Sequence, residues 1–334
     1  MPFFQHSDVS LFYTDEGAGQ PLLLLHGFGS DSHDWSFQIP ALLSASYRVI
    51  AFDHRGHGRS TNPPTASPTS YHPNTLAADA IALLQHLSIP SIVLVAHSLS
   101  TIISSLITVT QPSLVKALVL IHPIYGATPP VLKSLATDLR ADLPNAPQLA
   151  ADFFGKVSPR TPEWIQTWAR RRMLGTAPEC VAGCLEGLVA LEGQVTGQGE
   201  GAKSFLRRRA APRFVVSGID VAVEWEREIG IKEGIDELHV VREGTYLHLV
   251  EGETVNGLLV GWLGRTVRDL IHGFHLEMEV NCGVGYGREF IEVVGWLLVG
   301  SNNLLWPEEG PDIIDLLADK GCPVATPPYP EIRS

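Results

Sequence analysis

Ser98 is the residue around which chemistry can be built. It lies in Val93-Leu94-Val95-Ala96-His97-Ser98-Leu99-Ser100-Thr101. A short apolar run there stops at a small residue, presents a hydroxyl, passes a second small residue and enters an apolar-periodic stretch that reaches Thr110. This pattern predicts a buried strand turning sharply into a helix, with the serine at the corner. The two backbones crowd at such a turn, so the positions two before and two after the serine must be small. Ala96 and Ser100 satisfy this, giving a relaxed Ala-x-Ser-x-Ser form of Gly-x-Ser-x-Gly. A serine held this way can attack an acyl carbon if a neighbouring base takes its proton. A second stretch, His26-Gly27-Phe28-Gly29, is a glycine-containing loop leaving an apolar run. Its backbone N–H groups can face a developing oxyanion. In a third, Asp53-His54-Arg55-Gly56-His57-Gly58-Arg59-Ser60, glycines alternate with charges, as expected of a tight loop fixed by Asp53 and Arg55.

These three loops need strands to hold them. Residues 22–25, 92–95 and 117–121 are short apolar runs, as expected of strands buried on both faces of a parallel sheet; 47–52 is a further strand, and 9–14 alternates as an edge strand. Residues 32–43, 75–87 and 101–110 have helical apolar spacing. Strands alternating with helices predict an α/β fold with a mostly parallel central sheet and helices on both faces. From 124 to 209 the pattern changes to helical segments punctuated by prolines, at 129–139, 148–157, 162–174 and 180–191, with a glycine-rich connector at 193–201. The sheet resumes at Arg213-Phe214-Val215-Val216-Ser217-Gly218-Ile219-Asp220, and a further strand is expected at 238–241.

Composition limits the function classes. A chain of 334 residues that is 45% hydrophobic and 18% charged reads as globular, and a formal charge of −12 offers no footprint for nucleic acid or an anionic membrane. The runs Arg170-Arg171-Arg172 and Arg207-Arg208-Arg209 are expected to be solvated helix faces. Cys180, Cys184, Cys282 and Cys322 lack the pair-of-pairs spacing of a zinc site, so no metal is expected, and Cys180 and Cys184 stand at helical i, i+4. No cofactor motif is convincing. The N-terminus lacks the basic start and apolar core of a secretory signal, and no apolar stretch is long enough to insert in a membrane; a cytoplasmic location is expected. The partner expected is a small-molecule substrate, and the oligomeric state stays open.

Taken together in this order and spacing, Leu25-His26-Gly27-Phe28-Gly29, Phe52 to Ser60, Ala96 to Ser100 and Val119-Leu120-Ile121-His122-Pro123 resemble the α/β-hydrolase fold superfamily, especially its esterase, cofactor-free haloperoxidase and epoxide-hydrolase-like branch. The resemblance implies a core of residues 1–124 and 211–266, an inserted helical cap of 125–210 and an extension of 267–334. It implies that Ser98 is the nucleophile, and that the N–H groups of Phe28 and Leu99 form the oxyanion hole. Relatives that open epoxides or haloalkanes carry aspartate at the elbow, so serine implies ester, lactone or thioester chemistry. The catalytic acid falls after strand 213–217, where Asp220 is the choice and Glu224 its substitute. The family's usual base position is occupied by Thr245; His248, one helical turn on, is the expected base if the loop has slipped. Within the cap, Phe153, Trp164 and Trp168 are expected to line an apolar substrate pocket, alongside Phe154 and Met173. Two readings therefore stand: a serine hydrolase using Ser98, His248 and Asp220, and a non-enzymatic ligand-binding or scaffold protein that lost its base. The extension holds His272, His275 and the run Gly283-Val284-Gly285-Tyr286-Gly287, and is read as a docked extension, a partner-binding tail or an accidental addition.

Overall fold

The computed structural model describes residues 3–267, apart from 68, 127–129 and 198, together with the strands at 271–280, 289–300 and 303–305. The chain divides into two units, Met1–Val267 and Arg268–Ser334.

The first unit is built on eight strands: β1 (Phe3–His6), β2 (Val9–Glu16), β3 (Pro21–Leu25), β4 (Arg48–Phe52), β5 (Ile92–His97), β6 (Val115–Ile121), β7 (Arg213–Ser217) and β8 (Glu237–Val240). Their order in the sheet is β1-β2-β4-β3-β5-β6-β7-β8. β1 and β2 pair antiparallel, as do β2 and β4, and every later pair is parallel. The strand β1 was not legible in the sequence. The register decides where the loops emerge: Leu25 pairs with Ala96 and Ala96 with Leu120, so the carboxyl ends of β3, β5 and β6 lie side by side. The loops beginning at His26, Ser98 and His122 therefore leave the sheet at one edge, the place where open α/β sheets bind ligands.

Alternation along the central strands fills two cores. Leu23, Leu25, Leu94 and Ala96 join one cluster, and Leu22, Leu24, Val93 and Val95 join the other. The first cluster packs under α2 (Pro73–His86) and α3 (Leu99–Thr110), and the second under α1 (Gln38–Ser44) and α11 (Gly252–Thr266). Fully burying a leucine side chain is worth about 1.5–3 kcal/mol, so these runs commit the strands to the interior. The helix expected over 32–43 is broken in two. Asp31 caps a 3-10 turn at Ser32–Trp35, Ser36 closes that turn by donating its hydroxyl to the His33 carbonyl at 2.7 Å, and α1 starts afresh at Gln38. Pro40, lacking an N–H, is tolerated in the first turn of the new helix.

Between β6 and β7 the chain inserts α4 (Pro130–Ala141), α5 (Ala146–Val157), α6 (Glu163–Gly175), α7 (Pro178–Ala190) and α8 (Glu200–Arg207). α9 (Asp220–Ile229) follows β7, and the short α10 (Leu247–Val250) precedes α11. The arginine runs are not simply solvated faces: Arg172 is largely buried against Asp34, and Arg209 is wholly buried against Glu226 at 2.8 Å. The second unit contains β9 (Ile271–Val280), β10 (Glu289–Gly300) and β11 (Asn303–Leu305), an antiparallel sheet ordered β11-β10-β9. The Gly283–Gly287 run lies outside the described residues.

Candidate active site

The elbow forms because β5 is buried along its whole length and stops where α3 must begin. Ser98 takes up the turn with φ 49° and ψ −116°, a left-handed backbone that is uncommon outside glycine. Its N–H donates to the Ile121 carbonyl at 3.0 Å, which ties the corner to the end of β6. Crowding at the corner is measurable at Gly27, where a β-carbon would meet His97 Nδ1 at 2.8 Å and the Ser98 β-carbon at 3.3 Å. Ser100, the second small residue, uses its hydroxyl to bind the His26 carbonyl and so joins the elbow to the neighbouring loop.

Leu99 opens α3, so its N–H has no partner within the helix, and neither it nor the N–H of Phe28 makes a hydrogen bond among the described residues. Both residues line a cavity of about 450 Å³ together with Ser98. Its remaining walls are mainly apolar, with Leu132, Phe153, Phe154, Val157, Leu185 and Leu188 from the inserted helices. The Ser98 hydroxyl itself has no hydrogen-bond partner among the described residues. The loop Asp53–Ser60 is fixed as its composition implied. Asp53 accepts from the N–H groups of Ser32 at 2.7 Å and Arg59 at 2.9 Å, and Arg55 forks onto Asp79 at 2.6 and 2.7 Å.

Of the residues expected from the sequence, the structure gathers Ser98, Phe28, Leu99 and Phe153 around this cavity. It places the others elsewhere. Trp164 and Trp168 stand 45% and 40% exposed on α6, packed edge-to-face on each other at 5.1 Å, and line no part of the Ser98 cavity. Asp220 is the first residue of α9, and its side chain, 71% exposed, pairs with Arg242 at 2.8 Å. That hydrogen bond and the arginine's charge hold its carboxyl below the usual range. Glu224 lies exposed on the same helix.

His248 is completely buried in α10, its ring 5.3 Å from that of Trp35 and 4.3 Å from that of His97. Neither ring nitrogen has a hydrogen-bond partner among the described residues, so the structure joins His248 neither to Ser98 nor to Asp220. Burial, reinforced by His97, pushes its pKa well below that of an ordinary histidine. Thr245, in contrast, faces the cavity, with its hydroxyl 3.2 Å from that of Ser158. The slipped-loop geometry expected from the sequence is thus not the one adopted: the Thr245 carbonyl is held by His97 Nε2 at 2.8 Å, and His248 turns into the core beneath it.

His97 is the centre of a second polar group. Its Nδ1 lies 2.9 Å from Asp34 Oδ2, while its Nε2 meets the Thr245 carbonyl. Arg172 lies 3.2 Å from the other Asp34 oxygen. Burial alone would raise the Asp34 carboxyl, but Arg172 and the bond from His97 outweigh it and hold the group well below its ordinary value. One donor atom each from Asp34, His97 and His248 falls within 4.8 Å of the others, and so does one each from His57, Cys180 and Cys184. In the first trio the carboxylate already binds Arg172 and the imidazole of His97.

His122 stands in the Val119–Pro123 segment of the resemblance, which assigned it no role. It follows β6 directly, has a φ of 52° and lines the cavity with Ser98, the one histidine among the residues that do so. Its Nδ1 is buried without a partner among the described residues, and burial with the nearby His97 pushes its pKa down to about 3. The available signal was positional: a histidine at the carboxyl end of a parallel strand, next to the strand that bears the serine.

Residues 20–171 match the family model described as alpha/beta hydrolase fold. The chain is 41% identical over 99 residues to a non-heme haloperoxidase of Rhodococcus erythropolis, a stretch that is 29% of this chain and 35% of the relative. It is 47% identical over 89 residues to an epoxide hydrolase of Caballeronia sordidicola, 27% of this chain and 26% of the relative. The matched stretch is thus about a third or less of the length of these curated relatives. Among solved structures, a carboxylesterase from Nitrososphaera gargenis superimposes with a TM-score of 0.65 and 26% identity, covering 80% of this chain and 100% of that one.

Proposed function

Because the chain belongs to the α/β-hydrolase fold superfamily, we propose that it hydrolyses acyl substrates, esters, lactones or thioesters, through an acyl-enzyme on Ser98. The observation that carries this reading is the strained serine at the mouth of a helix, opening into an apolar cavity beside two unengaged N–H groups. Strain of this kind persists where the surroundings impose it, and it concentrates at working sites. Ser98 Oγ attacks the acyl carbon, and the N–H groups of Phe28 and Leu99 take the oxygen's charge. His122, the imidazole in the cavity, accepts the serine proton and passes it to the leaving alcohol or thiol; water then releases the acid by the same steps in reverse. The inserted helices act as the cap, and their apolar side chains select an uncharged, small-to-medium acyl group. Serine suits this chemistry because its acyl ester can be hydrolysed, whereas the ether formed by attack on an epoxide or haloalkane cannot be released that way. The free, buried thiols of Cys180 and Cys184 suit the reducing cytoplasm.

A serine-directed fluorophosphonate should label the wild-type chain and not Ser98→Ala. His122→Asn should slow labelling by about 10²-fold or more, the usual contribution of a general base, whereas His248→Asn in a chain that still folds should change it little. Turnover of short p-nitrophenyl esters or aromatic lactones should follow the same order. A second reading, a ligand-binding protein without turnover, is favoured by the Ser98 hydroxyl's lack of a hydrogen bond and by Thr245 facing the cavity. Failure of the folded wild type to label would establish it over the first.

A further inference from the structure

We propose that a second cleft, between α5 and α6, receives the alcohol portion of the substrate, and that this portion is an uncharged, hydroxyl-bearing group such as a glycerol or a sugar. The inference rests on the serine-hydrolase reading of Ser98. The cleft has a volume of about 480 Å³, and its walls include Phe154 and Lys156 of α5, Gln166, Thr167 and Met173 of α6, and Tyr246.

Three contacts place this cleft beside the reacting bond. Phe154 lines both the cleft and the Ser98 cavity, so at that point the partition is a single side chain. Its ring lies 5.6 Å from that of Phe28, whose N–H is one of the two unengaged donors. Ser158 lines the cleft and Thr245 the cavity, and their hydroxyls are 3.2 Å apart. Met173 packs so closely on Gly29 that a β-carbon there would overlap its methyl group. The cleft thus abuts the same loop that carries Phe28, and a change of rotamer at Phe154 would open one volume to the other.

An ester has two arms, acyl and alcohol, and the two volumes differ as such arms do. The Ser98 cavity is mainly apolar, so a hydroxyl-bearing alcohol buried there would lose its hydrogen bonds to water without replacement. The cleft offers replacements. Gln166 spends its amide nitrogen on the Thr161 carbonyl at 2.7 Å, which leaves its oxygen to accept. Thr167 and Tyr246 line the cleft, and the hydroxyl of neither makes a hydrogen bond among the described residues. Charge then decides the class of ligand. Asp152 and Glu163 stand against Lys156 and Arg170, two of each sign, and Asp152 is already joined to Arg170 at 2.6 Å. No net charge is left to select an ionic group, whereas a neutral polar one finds both donors and acceptors.

The test compares glyceryl monobutyrate with methyl butyrate, two esters that share an acyl group and differ only in the alcohol. Calorimetry on full-length Ser98→Ala, which removes the nucleophile, should show the glyceryl ester binding about tenfold tighter or more, the net return of two or more hydrogen bonds. Adding Thr167→Trp, which fills the cleft from an exposed position, should remove that preference. Adding Tyr246→Phe instead should lower it about threefold, and this conservative change keeps the test decisive should Thr167→Trp fail to fold. Equal affinity for the two esters, or a preference unmoved by both substitutions, would overturn the proposal. In the wild type, hydrolysis of both esters with equal kcat/KM would strike the alcohol site alone. Failure to hydrolyse either, with no labelling of Ser98, would strike the hydrolase reading instead, and the alcohol site with it.

Discussion

His122 can be tested directly because burial keeps it uncharged. A base works in its neutral form, and with a pKa pushed down to about 3 this one remains neutral well below the range of an ordinary histidine. Labelling of Ser98 should therefore change little between pH 8 and pH 5.5, whereas a base titrating near 6.5 would lose about tenfold over the same interval. The same shift has a sign in stability. The folded-state value lies below the unfolded one, so on acidification the unfolded chain takes up the proton first, and stability falls as pH drops from about 6.5 toward 3. Between pH 6.5 and pH 5 the cost is about 2 kcal/mol. In urea titrations at pH 7 and pH 5, His122→Asn should lose about 2 kcal/mol less than the wild type across that step. Equal losses would mean that His122 is not the buried, neutral group described. At this scale the sequence was most informative at Ser98, whose surroundings are local: an apolar run, two small neighbours and an apolar helix. It was least informative at His248 and Asp220. Their surroundings depend on how the Thr245 carbonyl meets His97 and how Arg242 meets Asp220, contacts between segments far apart in the chain.

Elements were legible where burial dictates them. Strands covered on both faces announce themselves as unbroken apolar runs, and β3 to β7 were all visible that way. β1, with its half-exposed Phe3-Phe4-Gln5-His6, carries no such signal and forms by pairing with β2. The inserted helices show the limit most plainly. Their aromatic content was evident, but composition does not say which side of a helix meets the cavity. Phe153 on α5 faces it, while Trp164 and Trp168 on α6 pack on each other near the surface. This difference predicts a division of labour. Phe153→Ala should enlarge the cavity and shift the preference among p-nitrophenyl esters toward longer acyl chains. A Trp164→Ala, Trp168→Ala double variant should leave the chain-length profile within about threefold of the wild type, a difference of roughly 0.6 kcal/mol or less. The reverse pattern would place the acyl group against α6.

The two hydrophobic clusters and all residues of the candidate site fall within Met1–Val267. A chain ending at Val267 should therefore unfold cooperatively and still label at Ser98; loss of either property would show that Arg268–Ser334 contributes to the first unit's fold. The elbow has a consequence for the molecule as a whole. Ser98 and His122 both hold left-handed backbone angles, at φ 49° and 52°, and Ser98 is tied to the end of β6 through the Ile121 carbonyl. Keeping a side chain in that conformation costs of order 1–3 kcal/mol, which glycine would not incur. Ser98→Gly should then raise the urea midpoint above that of both the wild type and Ser98→Ala while abolishing labelling. If it does, selection for stability alone would erase the nucleophile, and continued use of the reaction is what keeps a less stable chain in service.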